Sequence, residues 1–165
     1  MTSTTPATDA GLIAQVNEFL AHEADLLDTR QWDEWLDLFD PNGHYWVPTS
    51  AQQTEPNACP SLAYEDHLLL KIRVERLRHP QAHSQHPPST SQHVLQAARI
   101  VSNQAELILT RQPFSYVEHR GGQQTWLTGV ARHRLIRQGQ NLRIQLKRID
   151  LLGADQALPM IQLFL

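Results

Sequence analysis

The sequence predicts an α+β fold: N-terminal helices packed in a long, curved, mostly antiparallel sheet. Up to about residue 77 the apolar residues recur mainly three and four apart, and from about residue 92 they alternate with polar ones. The last long strand shows the curvature. Leu142, Ile144 and Leu146 alternate with Arg143, Gln145 and Lys147, and then the parity flips to Ile149 and Leu151. A one-residue slip would turn the apolar set outward, so an extra unpaired residue near Lys147–Arg148 is the economical repair. A bulged, twisted strand suits a sheet curled around helices. The nearly all-apolar end, Met160 to Leu165, predicts a tail that is tucked in or covered by a partner.

In chain order, residues 1–8 read as a flexible Ser/Thr-rich arm and 9–165 as a single domain. Thr8 or Asp9 is placed to cap a first helix carrying Leu12, Val16, Phe19, Leu20, Ala24 and Leu27. Asp28-Thr29-Arg30 interrupts it. Trp32, Trp35, Leu36 and Phe39 then fall on one face of a second, short helix. Asp40-Pro41-Asn42-Gly43 signals a turn, followed by a short strand, His44–Val47, that ends at Pro48. Ser61 is expected to cap a third helix reaching about Leu77, with Leu70, Val74 and Leu77 on one side and Tyr64, Leu68 and Ile72 on another. Residues 79–91 form a long loop rich in Pro, His and Ser. Strands follow at about 92–101, 105–117, 124–137 and 141–152, with Gly121-Gly122 marking a hairpin. The concave inside of such a cone is large enough in principle for a small ligand.

Composition narrows the function. With 41% hydrophobic and 19% charged residues the chain reads as an ordinary globular protein, and a net charge of −3 gives no footing for a nucleic-acid surface. No apolar run approaches the roughly 18 to 20 residues of a membrane helix. The first residues lack a signal-peptide pattern, so a cytoplasmic location is expected. The single cysteine, Cys59, excludes an internal disulfide and any multi-cysteine metal or iron–sulfur site in this chain.

Nine histidines raise the question of a metal, with His79, His83, His86 and His93 close in sequence and His67 on the third helix. Three of them sit among prolines with nothing to fix their geometry, and a solvated or partner-contacting loop is the favoured reading. Asp28 and His93 offer a sharper possibility. One ends the first helix, the other opens the first long strand, and a helix-lined cone can bring them together as a histidine base oriented by a carboxylate. The local sequence favours the blander assignment, in which Asp28 caps the second helix and His93 is a satisfied interior or interface residue. Tyr64-Glu65-Asp66 reads as a helix opening, and Trp32, Trp35 and Trp46 as packing residues. Cys59 has no basic sequence neighbours and reads as inert.

Three collinear stretches resemble one family. Glu23–Pro48, EADLLDTRQWDEWLDLFDPNGHYWVP, is similar to the helix–turn–helix–strand opening of the small (beta) subunits of aromatic-ring-hydroxylating dioxygenases. Tyr64–Pro88 resembles that family's Tyr-Asp-Asp helix, Arg-Val-x-Arg-Leu run and Pro-Pro-Ser loop, and Lys147, Leu151, Leu152 and Asp155 resemble its terminus. The family often has an Arg before the strand-opening His, where this chain has Gln92, which cannot make the same forked pairs.

The resemblance implies an NTF2-like (cystatin-like) cone. It implies a trimer of this chain beneath three catalytic alpha subunits (α3β3), with a Rieske [2Fe–2S] cluster and a mononuclear non-haem iron in the alpha subunit. It also implies an oxygenase that adds both atoms of O2 to an aromatic ring. This chain would then carry no catalytic, cofactor-binding or metal residues of its own, and the 79–91 loop and the C-terminal tail would be interface elements. The rival expectations are a free-standing dehydratase or isomerase using His93 and Asp28, and a small-ligand-binding or dimerisation module of the same fold.

Overall fold

The computed structural model describes residues 6–80 and 86–165, with side chains from residue 10 onward. Helices α1 (Pro6–Asp28) and α2 (Trp32–Leu36) are followed by strands β1 (Phe39–Pro48) and β2 (Ser61–Asp66), helix α3 (His67–Arg78), and strands β3 (Thr90–Leu95), β4 (Arg99–Gln104), β5 (Leu107–Arg120), β6 (Gln123–Gln138) and β7 (Asn141–Leu151). The strands form one sheet in the order β2-β1-β7-β6-β5-β3, with β4 also pairing β5. Only the β1/β7 pair is parallel among the described strand pairs. The long β5–β6 hairpin turns at Gly121 (φ +56°) and Gly122 (φ +79°), the left-handed pair that a two-residue turn requires.

One apolar core fills the concave side. From α1 it takes Val16, Leu20, Ala24 and Leu27, spaced so that one stripe faces the sheet. Trp35, Phe39, Tyr45 and Phe164 form an aromatic cluster, with Trp35 and Phe164 centroids 4.4 Å apart. The tail is tucked in: Leu163, Phe164 and Leu165 are buried, and the backbone N–H of Leu165 donates to the Tyr45 hydroxyl at 3.1 Å. The Arg73 guanidinium donates to the Leu163 carbonyl at 3.1 Å and lies 4.4 Å from the Phe164 ring centre. The cone therefore carries its own filling rather than an open ligand chamber.

Several local expectations are corrected. Helix α1 already includes Thr8 and Asp9, so neither precedes it as a cap. Helix α2 stops at Leu36; Phe39 opens β1, because the Leu38 carbonyl is taken by the N–H of Ile144 at 2.8 Å on β7. The Asp40–Gly43 turn signal is real, but it forms an outward excursion within β1. There the Asn42 N–H donates to Asp40 Oδ1 at 2.9 Å, and Gly43 is so close to β7 that a Cβ would sit 2.6 Å from the Ile144 carbonyl oxygen. Residues 61–66 are strand β2, not the start of α3; Asp66 is the cap, accepting from Leu69 N at 2.9 Å. Tyr64, Leu68 and Ile72 consequently do not form a second covered helix face: Leu68 is 64% exposed.

The expected strand over 92–101 splits into β3 and β4 around Gln96–Ala98. The Asn17 side chain satisfies the break, accepting from Ala98 N at 2.7 Å and donating to the Ala98 carbonyl at 3.4 Å. The parity flip in β7 occurs, but the extra residue sits two positions before the expected Lys147–Arg148. Arg134 pairs with Leu146 and Leu135 with Ile144, which leaves Gln145 as the extra residue. Leu146 is thereby turned off the core face and Lys147 onto it. That exchange builds the polar centre of the molecule.

Candidate functional site

The structure brings Asp28 and His93 together. Asp28 is the last residue of α1, and β3 crosses that helix end with Ser91, Gln92 and His93 facing the carboxylate. Asp28 accepts from His93 Nδ1 at 2.7 Å, His93 N at 2.8 Å, Ser91 Oγ at 3.2 Å and Gln92 Nε2 at 3.2 Å. The side chains are 3% (His93) and 10% (Asp28) exposed. The capping assignment for Asp28 is overturned: the N-cap of α2 is Gln31, with no side-chain capping bond. Among the described residues, the carboxylate's partners all lie on β3, and they lock the sheet edge to the helix. Gln92 contributes one amide donor here, rather than the fork an Arg would supply.

A second carboxylate–histidine pair lies deeper. Glu23, one turn before the end stretch of α1, accepts from His133 Nε2 at 2.9 Å, Lys147 Nζ at 2.8 Å and Trp35 Nε1 at 3.2 Å. The three ionisable side chains are at most 5% exposed. Burial by itself pushes the Glu23 carboxyl up, but the Lys147 charge and the hydrogen bonds from His133 and Lys147 outweigh it and hold the group well below the usual carboxylate range. Sequence reading missed this group. Its one signal was Lys147, which follows the parity flip and lands on the apolar face once the bulge is placed correctly.

Next to His93, the Tyr116 ring packs edge-on at 5.1 Å, and its hydroxyl donates to Glu118 Oε2 at 3.1 Å. The other oxygen of Glu118 accepts from Ser89 Oγ at 2.6 Å. Burial, followed by the adjacent Glu118 charge, holds the Tyr116 phenol well above its ordinary range.

His93 and His133 both line a small void of about 20 Å³, whose wall also includes Glu23, Lys147, Phe114 and Leu165. That is space for one water molecule. A histidine base needs a substrate atom within hydrogen-bond reach of its free nitrogen, and no organic substrate fits there.

The other candidates are placed differently. His67 starts α3, and His86 contacts the Pro80 carbonyl at 3.1 Å. His83 lies outside the described residues. Among the described residues no three His, Cys, Asp or Glu side chains are grouped to hold a metal ion, and Cys59 is exposed. Trp32 and Trp35 are core residues; Trp46 packs beneath the Arg148 guanidinium, 4.4 Å from its ring centre. On the outside, Leu62, Tyr64, Leu68, Leu69 and Ile72 of β2 and α3 form an exposed apolar face. It borders an open groove of about 360 Å³ that reaches Ile161 in the tail.

The family model described as "Ring hydroxylating beta subunit" matches residues 22–155, which include both carboxylate–histidine pairs. The chain belongs to the ring-hydroxylating beta-subunit family. It is 34% identical over 137 residues to the small oxygenase component of the p-cumate 2,3-dioxygenase system of Pseudomonas putida, covering 82% of this chain and 76% of that one. It is 27% identical over 155 residues to the benzoate 1,2-dioxygenase subunit beta of Acinetobacter baylyi, covering 89% and 90%. The crystal structure of the benzoate 1,2-dioxygenase beta subunit from Burkholderia mallei superposes with a TM-score of 0.71 at 23% identity, over 85% of this chain and 90% of that chain. That likeness establishes the beta subunits' NTF2-like fold for this chain. Among the described residues no helix is long and apolar enough to cross a membrane.

Proposed function

We propose that this beta subunit is the non-catalytic component of a multicomponent, cytoplasmic aromatic-ring-hydroxylating dioxygenase. In this reading it trimerises and supports three catalytic alpha subunits as an α3β3 assembly. The relatives' designations, "small oxygenase component" and "subunit beta", support the partnership. The exposed apolar face on β2 and α3 supplies surface for association. In the 79–91 loop, Arg120 donates to the His86 and Pro87 carbonyls at 3.1 Å, fixing one end of an interface element.

The observation that carries the non-catalytic part is the filled cone. The Asp28–His93 pair is well formed, but His93 lines a water-sized void. The Rieske cluster does not fit this chain either: it requires two cysteines and two histidines, and the one cysteine here stands exposed on a loop. The cluster and the mononuclear iron are therefore assigned to the alpha subunit, and no reaction step is routed through this chain.

The test is aromatic-substrate-dependent O2 uptake by the assembled oxygenase, expressed per Rieske cluster, with wild-type and His93→Gln beta subunits. The rate per assembled cluster should be unchanged. A large loss in fully assembled, cluster-loaded enzyme, or turnover by the isolated beta chain, would overturn the reading.

A further inference from the structure

Two buried nitrogens have no protein hydrogen-bond partner among the described residues, His93 Nε2 and His133 Nδ1, and both of their residues line the same void. Buried polar atoms are nearly always satisfied, and a pair bordering one cavity calls for a shared partner. The chemistry of that partner follows from the outer nitrogens. A carboxylate only accepts, so Asp28 requires the proton on His93 Nδ1 and Glu23 requires it on His133 Nε2. In the neutral rings both inward nitrogens are then bare lone pairs. Whatever lies between them must offer two donors or one cation.

A carboxylate behind each imidazole is also how metal-binding histidines are oriented. Three features argue against a metal here. Only two imidazoles line the void, no three His, Cys, Asp or Glu side chains are grouped to hold a metal ion among the described residues, and Lys147 lines the same space. A divalent ion would meet that positive charge in a low-dielectric interior. Water meets every condition. It has two O–H donors and fits about 20 Å³.

We propose that the void is a binding site for one ordered water molecule that donates to both His93 Nε2 and His133 Nδ1. It thereby joins Asp28–His93 and Glu23–His133–Lys147 into a single buried hydrogen-bond network. The network runs from the α1–β3 edge to the bulged strand β7, and ties the helix to the sheet at both ends of the void.

A high-resolution crystal structure of the wild-type chain with anomalous data tests this directly. The expected result is one peak of water density within about 2.7–3.2 Å of both nitrogens, and no anomalous signal. An empty void, a metal peak, or a molecule touching only one ring would overturn it. Side-chain ¹⁵N NMR above neutral pH gives an independent reading in solution. It should show His93 protonated at Nδ1 and His133 at Nε2; the opposite tautomer, or a doubly protonated ring, at either position contradicts the proposal. Neither result depends on the alpha subunit, so this inference and the proposed function fail separately.

Discussion

Lys147 Nζ lies 2.8 Å from Glu23 Oε1, with both side chains almost completely removed from solvent. The pair exists because the extra residue at Gln145 turns Lys147 onto the concave face that Leu146 would otherwise occupy. The position of one bulge thus decides whether the core contains an ion pair or another leucine.

Removing one member of a buried pair leaves the other charge uncompensated. Lys147→Met should therefore destabilise the chain by about 3–5 kcal/mol. The double variant Glu23→Gln/Lys147→Met should recover much of that loss, since two neutral side chains of similar volume avoid the desolvation of both ions. Urea unfolding of the three proteins checks this. Equal losses in the single and double variants would mean that the pair's charge is not what matters.

Stability should fall in acid through Glu23. Its folded-state carboxyl is held below the ordinary value of 4.5, so the unfolded chain binds more protons in that range. The stabilisation from the charged form is fully present above pH 4.5 and is lost as pH falls through the lower folded-state value. Below pH 4.5 the wild-type advantage over Glu23→Gln should shrink steadily; a constant difference across that range would contradict the sign.

Asp28→Asn keeps the shape of the helix-to-strand clamp but puts an amide donor against groups that donate. The Asp28 carboxylate collects bonds from Ser91, Gln92 and both nitrogens of His93 presented to it. Hydrogen bonds to a charged group contribute about 1.5–3 kcal/mol each, and the substitution should cost at least one of them. Backbone amide exchange should accelerate most in β3. Uniform acceleration across the sheet would show that the clamp is not local.

The tail behaves as core. Phe164 packs among Trp32, Trp35 and Tyr45 under the Arg73 guanidinium, and Phe164→Ala should cost about 3–5 kcal/mol. A thermal midpoint unchanged by this substitution would mean that the tail is only laid against the surface.

The α+β order and the long hairpins were legible because period-2 alternation and the Gly121-Gly122 turn are local signals. Residues 61–66 were misread because Tyr64, Leu68 and Ile72 satisfy a helical spacing across a strand–helix boundary; only pairing with β1 and the Asp66 cap distinguish the two. The Asp28–His93 convergence was legible from their positions at the ends of a helix and a strand, but the role of Asp28 was not, since a cap and a clamp use the same residue type. Glu23 and His133 carried no local mark. They are 110 positions apart, and only the closed sheet brings them to 2.9 Å.

The most direct test of the central claim is co-expression of a tagged copy of this chain with the large oxygenase subunit of its own system, followed by native mass and visible absorption. The account predicts a hetero-oligomer containing equal numbers of both chains, with a Rieske spectrum that stays with the large subunit when the two are separated. A colourless particle containing this chain alone, in the presence of soluble large subunit, would contradict it.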